Sequence, residues 1–107
     1  MVQTTASNLK LVRDFKSLVL KKISVDKMLF FGSRAKSVFF EDSDFDLLIV
    51  SKDFENKPFY ERPVDLYFQW KNQFDVDIIC YTPKEFLEKL SDPYSVAANA
   101  AKTGLIV

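Results

Sequence analysis

Three aspartates and a Gly-Ser pair are the residues of this 107-residue chain whose types and spacing could do chemistry. Gly32-Ser33 closes one apolar run, nine residues intervene, and Ser43-Asp44-Phe45-Asp46 opens another that continues Leu47-Leu48-Ile49-Val50. Side chains alternate faces along a strand, so Asp44 and Asp46 point the same way and Phe45 points opposite. Asp77 lies in a further apolar run with Val76, Ile78 and Ile79, where an isolated carboxylate is costly to bury. Carboxylates gathered on one sheet edge repel each other unless a cation sits among them, and a divalent ion bound by oxygen relieves that repulsion. A glycine turn leading into a helix N-terminus, with the Ser33 hydroxyl beside it, favours phosphate oxygens. Metal plus phosphate suggests a nucleoside triphosphate, and a two-metal site mounted on the rigid start of a buried strand.

Composition narrows the chemistry further. The chain has no histidine and a single cysteine, Cys80, which excludes an internal disulfide, a Ser-His-Asp triad and the usual zinc sets. Oxygen-only ligation suits Mg²⁺, Mn²⁺ or Ca²⁺. Lys+Arg and Asp+Glu balance at fifteen each, so the broad positive field of a protein that grips a long nucleic acid is missing, and extended nucleic acid is not expected as a partner. No apolar stretch approaches the roughly 20 residues that span a bilayer, and the N-terminus MVQTTASNLK lacks the apolar segment of a signal peptide, so no membrane association and a cytoplasmic location are expected.

The elements that must position these residues are those of one small domain, 1–107, with 48% hydrophobic residues, eleven Phe and only two Gly. Residues 5–22 read as an amphipathic helix carrying Leu9, Leu11, Val12, Phe15, Leu18 and Val19, capped by Thr5 or Ser7. Lys27–Phe31 reads as a first strand, with Ser33 capping a short helix over 34–39. Phe45–Val50 has the unbroken apolar pattern of a central strand. Pro58 and Pro63 suit a loop followed by a helix starting near Pro63, and Phe74–Tyr81 reads as a third strand. Thr82-Pro83-Lys84-Glu85 is a capping box opening a helix to Leu90, and 92–107 forms a C-terminal tail of unassigned register after a motif core of 27–81.

Topology then brings the acids together. The connector from Ser33 to Ser43 is too short for a parallel crossover, so the first two strands pair antiparallel, which sets Gly32-Ser33 beside the start of the second. The link over 52–73 is long enough for a helical crossover to a parallel third strand, which sets Asp77 near Asp44 and Asp46. The result is an α/β (α+β) fold, a mixed sheet flanked by helices.

Gly32-Ser33, nine residues, Ser43-Asp44-Phe45-Asp46-Leu47-Leu48-Ile49-Val50 and an aspartate in a following strand resemble the signature of the DNA polymerase beta-type nucleotidyltransferase superfamily, and the short length resembles its minimal members. The resemblance implies transfer of a nucleoside monophosphate, AMP from ATP, to a hydroxyl. It implies that Asp44 and Asp46 hold two Mg²⁺ ions (or Mn²⁺), that Asp77 completes the site at the ion activating the acceptor, and that Gly32 and Ser33 hold the triphosphate. It also implies a small helical partner of the HEPN type, with this chain as an antitoxin that adenylylates it. Ser37, where many minimal members have glycine, and the apolar Val38-Phe39-Phe40 depart from the pattern on the substrate side.

Other readings compete. Arg34 meets phosphate, with Gly32 and Ser33, or pairs with Glu41 or Asp42. Asp75 competes with Asp77, which lies deeper in the apolar run. A silent member that only binds its partner, a two-metal phosphohydrolase and a ferredoxin-like RNA-binding fold are the rival functions; acids on the strands disfavour the last. Phe39, Phe40, Phe54, Phe59, Tyr60, Tyr67, Phe68, Trp70 and Tyr94 exceed what a core of this size hides, so some are expected at an interface, and self-association is left open.

Overall fold

A computed structural model of the chain describes residues 5–36 and 42–107. Helix α1 (Thr5–Val19) buries Asn8, Val12, Phe15 and Val19. That spacing is one helical face, and a polar residue occupies one end of it. A turn follows the helix, with Ile23 N–H donating to the Val19 carbonyl. The strand β1 (Lys27–Phe31) is buried from its second residue onward.

After a single 3₁₀ turn at Ser33–Ala35, the chain enters β2 (Phe45–Val50). The two strands pair antiparallel, with Phe31 opposite Asp46 and Lys27 opposite Val50. Another 3₁₀ turn (Lys52–Phe54), one more at Phe59–Glu61 and the single-turn helix α2 (Val64–Tyr67) form the crossover to β3 (Val76–Tyr81). Strands β2 and β3 run parallel. Helix α3 (Pro83–Leu90) opens on the capping box: the Thr82 hydroxyl accepts from Glu85 N–H and the Glu85 carboxylate accepts from Thr82 N–H. Helix α4 (Val96–Thr103) is capped by Ser95.

The tail that sequence leaves without a register ends as β4 (Leu105–Ile106), antiparallel to β1, giving the order β3-β2-β1-β4. Gly104 makes that return: a Cβ there would lie 2.5 Å from the Ala100 carbonyl oxygen and 3.0 Å from that of Phe30. This is the mixed sheet flanked by helices that the sequence anticipates.

Each sheet face has its own core. On one, Met28, Phe30, Phe45, Leu47, Ile49, Ile78 and Cys80 pack against Val12, Phe15 and Val19 of α1 and Leu66 and Trp70 of the crossover. On the other, Leu29, Phe31, Leu48 and Val50 pack against Phe86 of α3 and Ala97 and Ala100 of α4. The central strand β2 is covered on both sides, the physical reason for its unbroken apolar sequence.

Some expectations shift. Helix α1 ends at Val19, not 22, and the third strand begins at Val76, not Phe74. Phe74 N–H donates to the Asn72 side chain and Trp70 Nε1–H to the Phe74 carbonyl, so residues 70–74 close a turn in place of a ladder. Gly32, not Ser33, is the N-cap of the turn after β1, and no side-chain cap bond forms. The expected helix beyond residue 36, Ser37 and Val38-Phe39-Phe40 lie outside the described residues. Of the aromatic excess, Phe54 and Trp70 are buried, whereas Phe59, Tyr60, Tyr67, Phe68 and Tyr94 are exposed. Among the described residues, no helix is long and apolar enough to cross a membrane.

Candidate active site

The antiparallel β1–β2 pair and the parallel β2–β3 pair together bring Gly32, Asp46 and Asp77 to one end of the sheet. Asp46 is the register partner of Phe31 on one side and of Asp77 on the other. By alternation Asp46 and Asp77 share the face of Leu48, Val50 and Ile79, while Phe45, Leu47 and Ile78 face the opposite core. Helices α3 and α4 pack on the acid-bearing face near Leu48 and Val50, and the described residues leave Asp44 and Asp77 exposed at its end.

Gly32 is where the backbone and a carboxylate meet. Its φ of 80° and ψ of −167° belong to a region essentially restricted to glycine. A Cβ there would lie 2.2 Å from Asp46 Oδ2, so no side chain fits between the turn and the carboxylate. Beyond it Ala35 N–H donates to the Gly32 carbonyl and Lys36 N–H to that of Ser33, and Ser33 itself is exposed. The first N–H groups of such a turn have no partner inside it.

The electrostatics single out Asp46. Burial, then the charges of Asp77 and Asp44, push its carboxyl up from the ordinary 3.8 to about 6. Asp46 thus bears the repulsion of both neighbours, the donor chemistry that a divalent cation relieves. That is the observation on which a cation fits this site. Among the described residues, however, no three such groups form a ready-made metal cluster. Exposed carboxylates without a counter-ion have every reason to stay apart.

Asp75 occupies a different position. It precedes β3, its carbonyl accepts from Phe45 N–H, and it is not among the charges acting on Asp46.

Arg34 is fully enclosed. Its Nε donates to the Ser43 carbonyl at 2.7 Å, and its guanidinium carbon lies 4.5 Å from the centre of the Phe74 ring and 5.1 Å from that of Phe45. The sequence offered phosphate contact or pairing with Glu41 or Asp42; these surroundings support tying the two ends of the 33–43 connector, and Glu41 lies outside the described residues. The buried Asn8 completes the fixture by donating from Nδ2 to the Arg34 carbonyl at 3.1 Å. Sequence reading passed over Asn8, although its place on the stripe with Val12, Phe15 and Val19 was a signal.

Arg62 was also overlooked. Its side chain donates to the Lys57 and Cys80 carbonyls and pairs with Glu85, so it clamps the crossover to the end of β3 and to the first turn of α3. Nothing in its local sequence separates it from a surface arginine. Cys80 is buried, and burial pushes its thiol up to about 12, leaving it inert.

The chain matches the family described as nucleotidyltransferase domain over residues 10–102. No curated protein matches it in sequence. Among solved structures, a protein of Sulfolobus solfataricus that carries the provisional description of a nucleotidyltransferase aligns with a TM-score of 0.62 at 22% identity, over 82% of each chain. At that identity the likeness speaks to the fold alone.

Proposed function

The chain belongs to the nucleotidyltransferase domain family, and from that premise we propose that it is a metal-dependent enzyme that moves AMP from ATP onto a hydroxyl of a partner protein. The observation that carries the reading is the raised carboxyl of Asp46, set between Asp77 and Asp44 and against the bare backbone of Gly32. Asp44 and Asp46 would hold two Mg²⁺ ions, or Mn²⁺, and Asp77 would complete the site on the acceptor side. When bound, such ions neutralise charge at the phosphorus and lower the pKa of the attacking hydroxyl.

The chain's own residues supply the rest. Gly32 lets the triphosphate approach the backbone beside Asp46, and the exposed Ser33 hydroxyl donates to a phosphate oxygen. Arg34 and Asn8 fix that turn from behind, through the bonds to Ser43 and to the Arg34 carbonyl. Asp46 gives up its proton near pH 6, so a cation displaces that proton more readily as pH rises above this value.

Balanced charge argues against a polymer acceptor, and the exposed aromatics of the crossover support a protein one. In this reading the partner is a small helical protein of the HEPN type, the pair forms a toxin–antitoxin unit, and modification silences the partner.

Incubation with Mg²⁺, ATP labelled at the α-phosphate and the co-purified partner tests this. Label on the partner together with pyrophosphate release is expected, and absence of transferred label with partner present overturns it. One observation favours the rival of a silent member that neutralises its partner by binding: the described residues hold no ready-made three-carboxylate cage. Binding to the partner without label transfer is the outcome that rival requires.

A further inference from the structure

Asp44 is the acid that the sheet does not hold. Strand β2 begins at Phe45, so Asp46 sits in the ladder opposite Asp77 whereas Asp44 precedes it. Its side chain is exposed, and its backbone lies between two anchors. On the C-terminal side, Phe45 N–H donates to the Asp75 carbonyl at 2.9 Å. On the N-terminal side, the Ser43 carbonyl accepts from Arg34 Nε at 2.7 Å. That carbonyl belongs to the same planar peptide unit as the Asp44 nitrogen, so whatever fixes it fixes the direction in which the chain enters Asp44.

Arg34 is itself held from several sides. Its carbonyl accepts from the buried Asn8, and the Lys36 carbonyl accepts from Thr5 Oγ1 at 3.0 Å, so two residues one turn apart on α1 clamp the backbone that carries it. Its guanidinium carbon lies 4.5 Å from the centre of the Phe74 ring and 5.1 Å from that of Phe45, and the two rings are 5.6 Å apart at 47°. Phe45 separates Asp44 from Asp46, and Phe74 leads into the strand of Asp77. A planar guanidinium set against two rings presents its Nε–H in one direction.

We propose that Arg34 is the positioning residue of Asp44: through the Ser43 carbonyl it sets that carboxylate within the reach of Asp46 that a shared divalent cation needs. The role rests on the metal-dependent reading above and names the residue that builds the site before an ion arrives. Repelling carboxylates move apart unless their backbones are fixed. The ladder fixes Asp46 and Asp77, and Arg34 fixes the third. Charge is not the means: among the described residues the charges acting on Asp46 are those of Asp77 and Asp44, and Arg34 lies against Phe45, which faces the core opposite the acids.

Binding of Mn²⁺ to the full chain, followed by electron paramagnetic resonance of the free ion, tests this without turnover, with far-UV circular dichroism as the folding control. Arg34→Lys keeps the charge but loses the flat face and the Nε donor, and is expected to bind Mn²⁺ about tenfold more weakly while folded. Arg34→Met fills the slot between the rings, removes the donor and gives the same loss, and it serves where Arg34→Lys does not fold. The double variant Arg34→Lys, Asp44→Asn separates positioning from general loosening. Because Arg34 acts through Asp44, it binds Mn²⁺ as Asp44→Asn alone does, whereas losses from a merely structural arginine add.

Wild-type affinity in either folded Arg34 variant, or additive losses in the double variant, overturns the assignment and leaves the metal reading standing. Loss of folding in both Arg34 variants overturns it too, the arginine then serving the fold itself. A wild type that binds no Mn²⁺, or an Asp44→Asn variant that binds it as tightly as the wild type, overturns the metal reading and the assignment together.

Discussion

Asp46 near the start of β2 and Asp53 just past its end are carboxylates at the two ends of one strand, and the fold treats them in opposite ways. Asp53 accepts from both the backbone N–H and the hydroxyl of Ser24, at 2.7 and 3.0 Å, and those bonds hold its carboxyl below the ordinary range. Asp46 is half-buried between two other acids and is pushed up to about 6. One acid closes a loop; the other stores unrelieved charge at the end of a rigid strand. A carboxylate kept in a costly state by its own fold is a candidate for function, whereas one satisfied by its neighbours is structural. The two arginines tell the same story in reverse: Arg34 and Arg62 are both buried, both donate to backbone carbonyls, and both brace the acid-bearing frame.

Breaking the stored charge gives the largest expected effect. Asp46→Asn lowers nucleotidyl transfer by about 10³-fold or more, read as label transfer, while Asp53→Asn leaves it within a factor of about two. Removal of the brace comes next. Arg34→Ala leaves the Phe45–Phe74 slot and the Ser43 carbonyl without their guanidinium and costs about 3 kcal/mol of stability by urea denaturation.

Gly32→Ala follows, at about 2 kcal/mol for the disfavoured backbone. It also moves Asp46, so transfer falls more than the stability loss explains; equal effects on stability and transfer would contradict the close approach of turn and carboxylate.

The contrast between the two acids also predicts a pH signature. The folded pKa of Asp46 lies above its ordinary 3.8, so its contribution to stability is full below about pH 4 and is lost as pH rises through about 6. Without metal, Asp46→Asn is therefore more stable than the wild type above pH 6, by on the order of 1 kcal/mol after allowance for solvent screening. Thermal melts at pH 4.5 and 7.5 measure the difference, and Mg²⁺ raises the melting temperature of the wild type only. Asp53 has the opposite sign: its contribution is present above the ordinary carboxylate range and is lost as pH falls. Asp53→Asn accordingly gives the smallest effect, a slight drop in melting temperature at neutral pH that shrinks toward acid.

Much of this frame was legible in the residues. Period-2 and helical patterns, the Thr82–Glu85 capping box and the two connector lengths are local properties, so β1, β2, α3 and the antiparallel and parallel pairings could be argued without coordinates. The tail was not legible, because a two-residue strand after Gly104 has no periodicity and exists only through the β1 edge that receives it. Nor was the turn at 70–74, where Asn72 and Trp70 override an apolar run by side-chain bonds.

By itself the sequence determined which residues are acids, how far apart they stand along the chain, and that Asp46 faces away from Phe45 on β2, since alternation along a strand is a covalent property of the backbone, whereas Asp44 stands just before the strand begins. Tertiary structure alone decided which acid carries the strain. Register sets Asp46 opposite Asp77, and the Gly32 backbone leaves its carboxylate no room for a side chain between them. Charge repulsion and burial depend on distances through space, and those are fixed only when three strands meet.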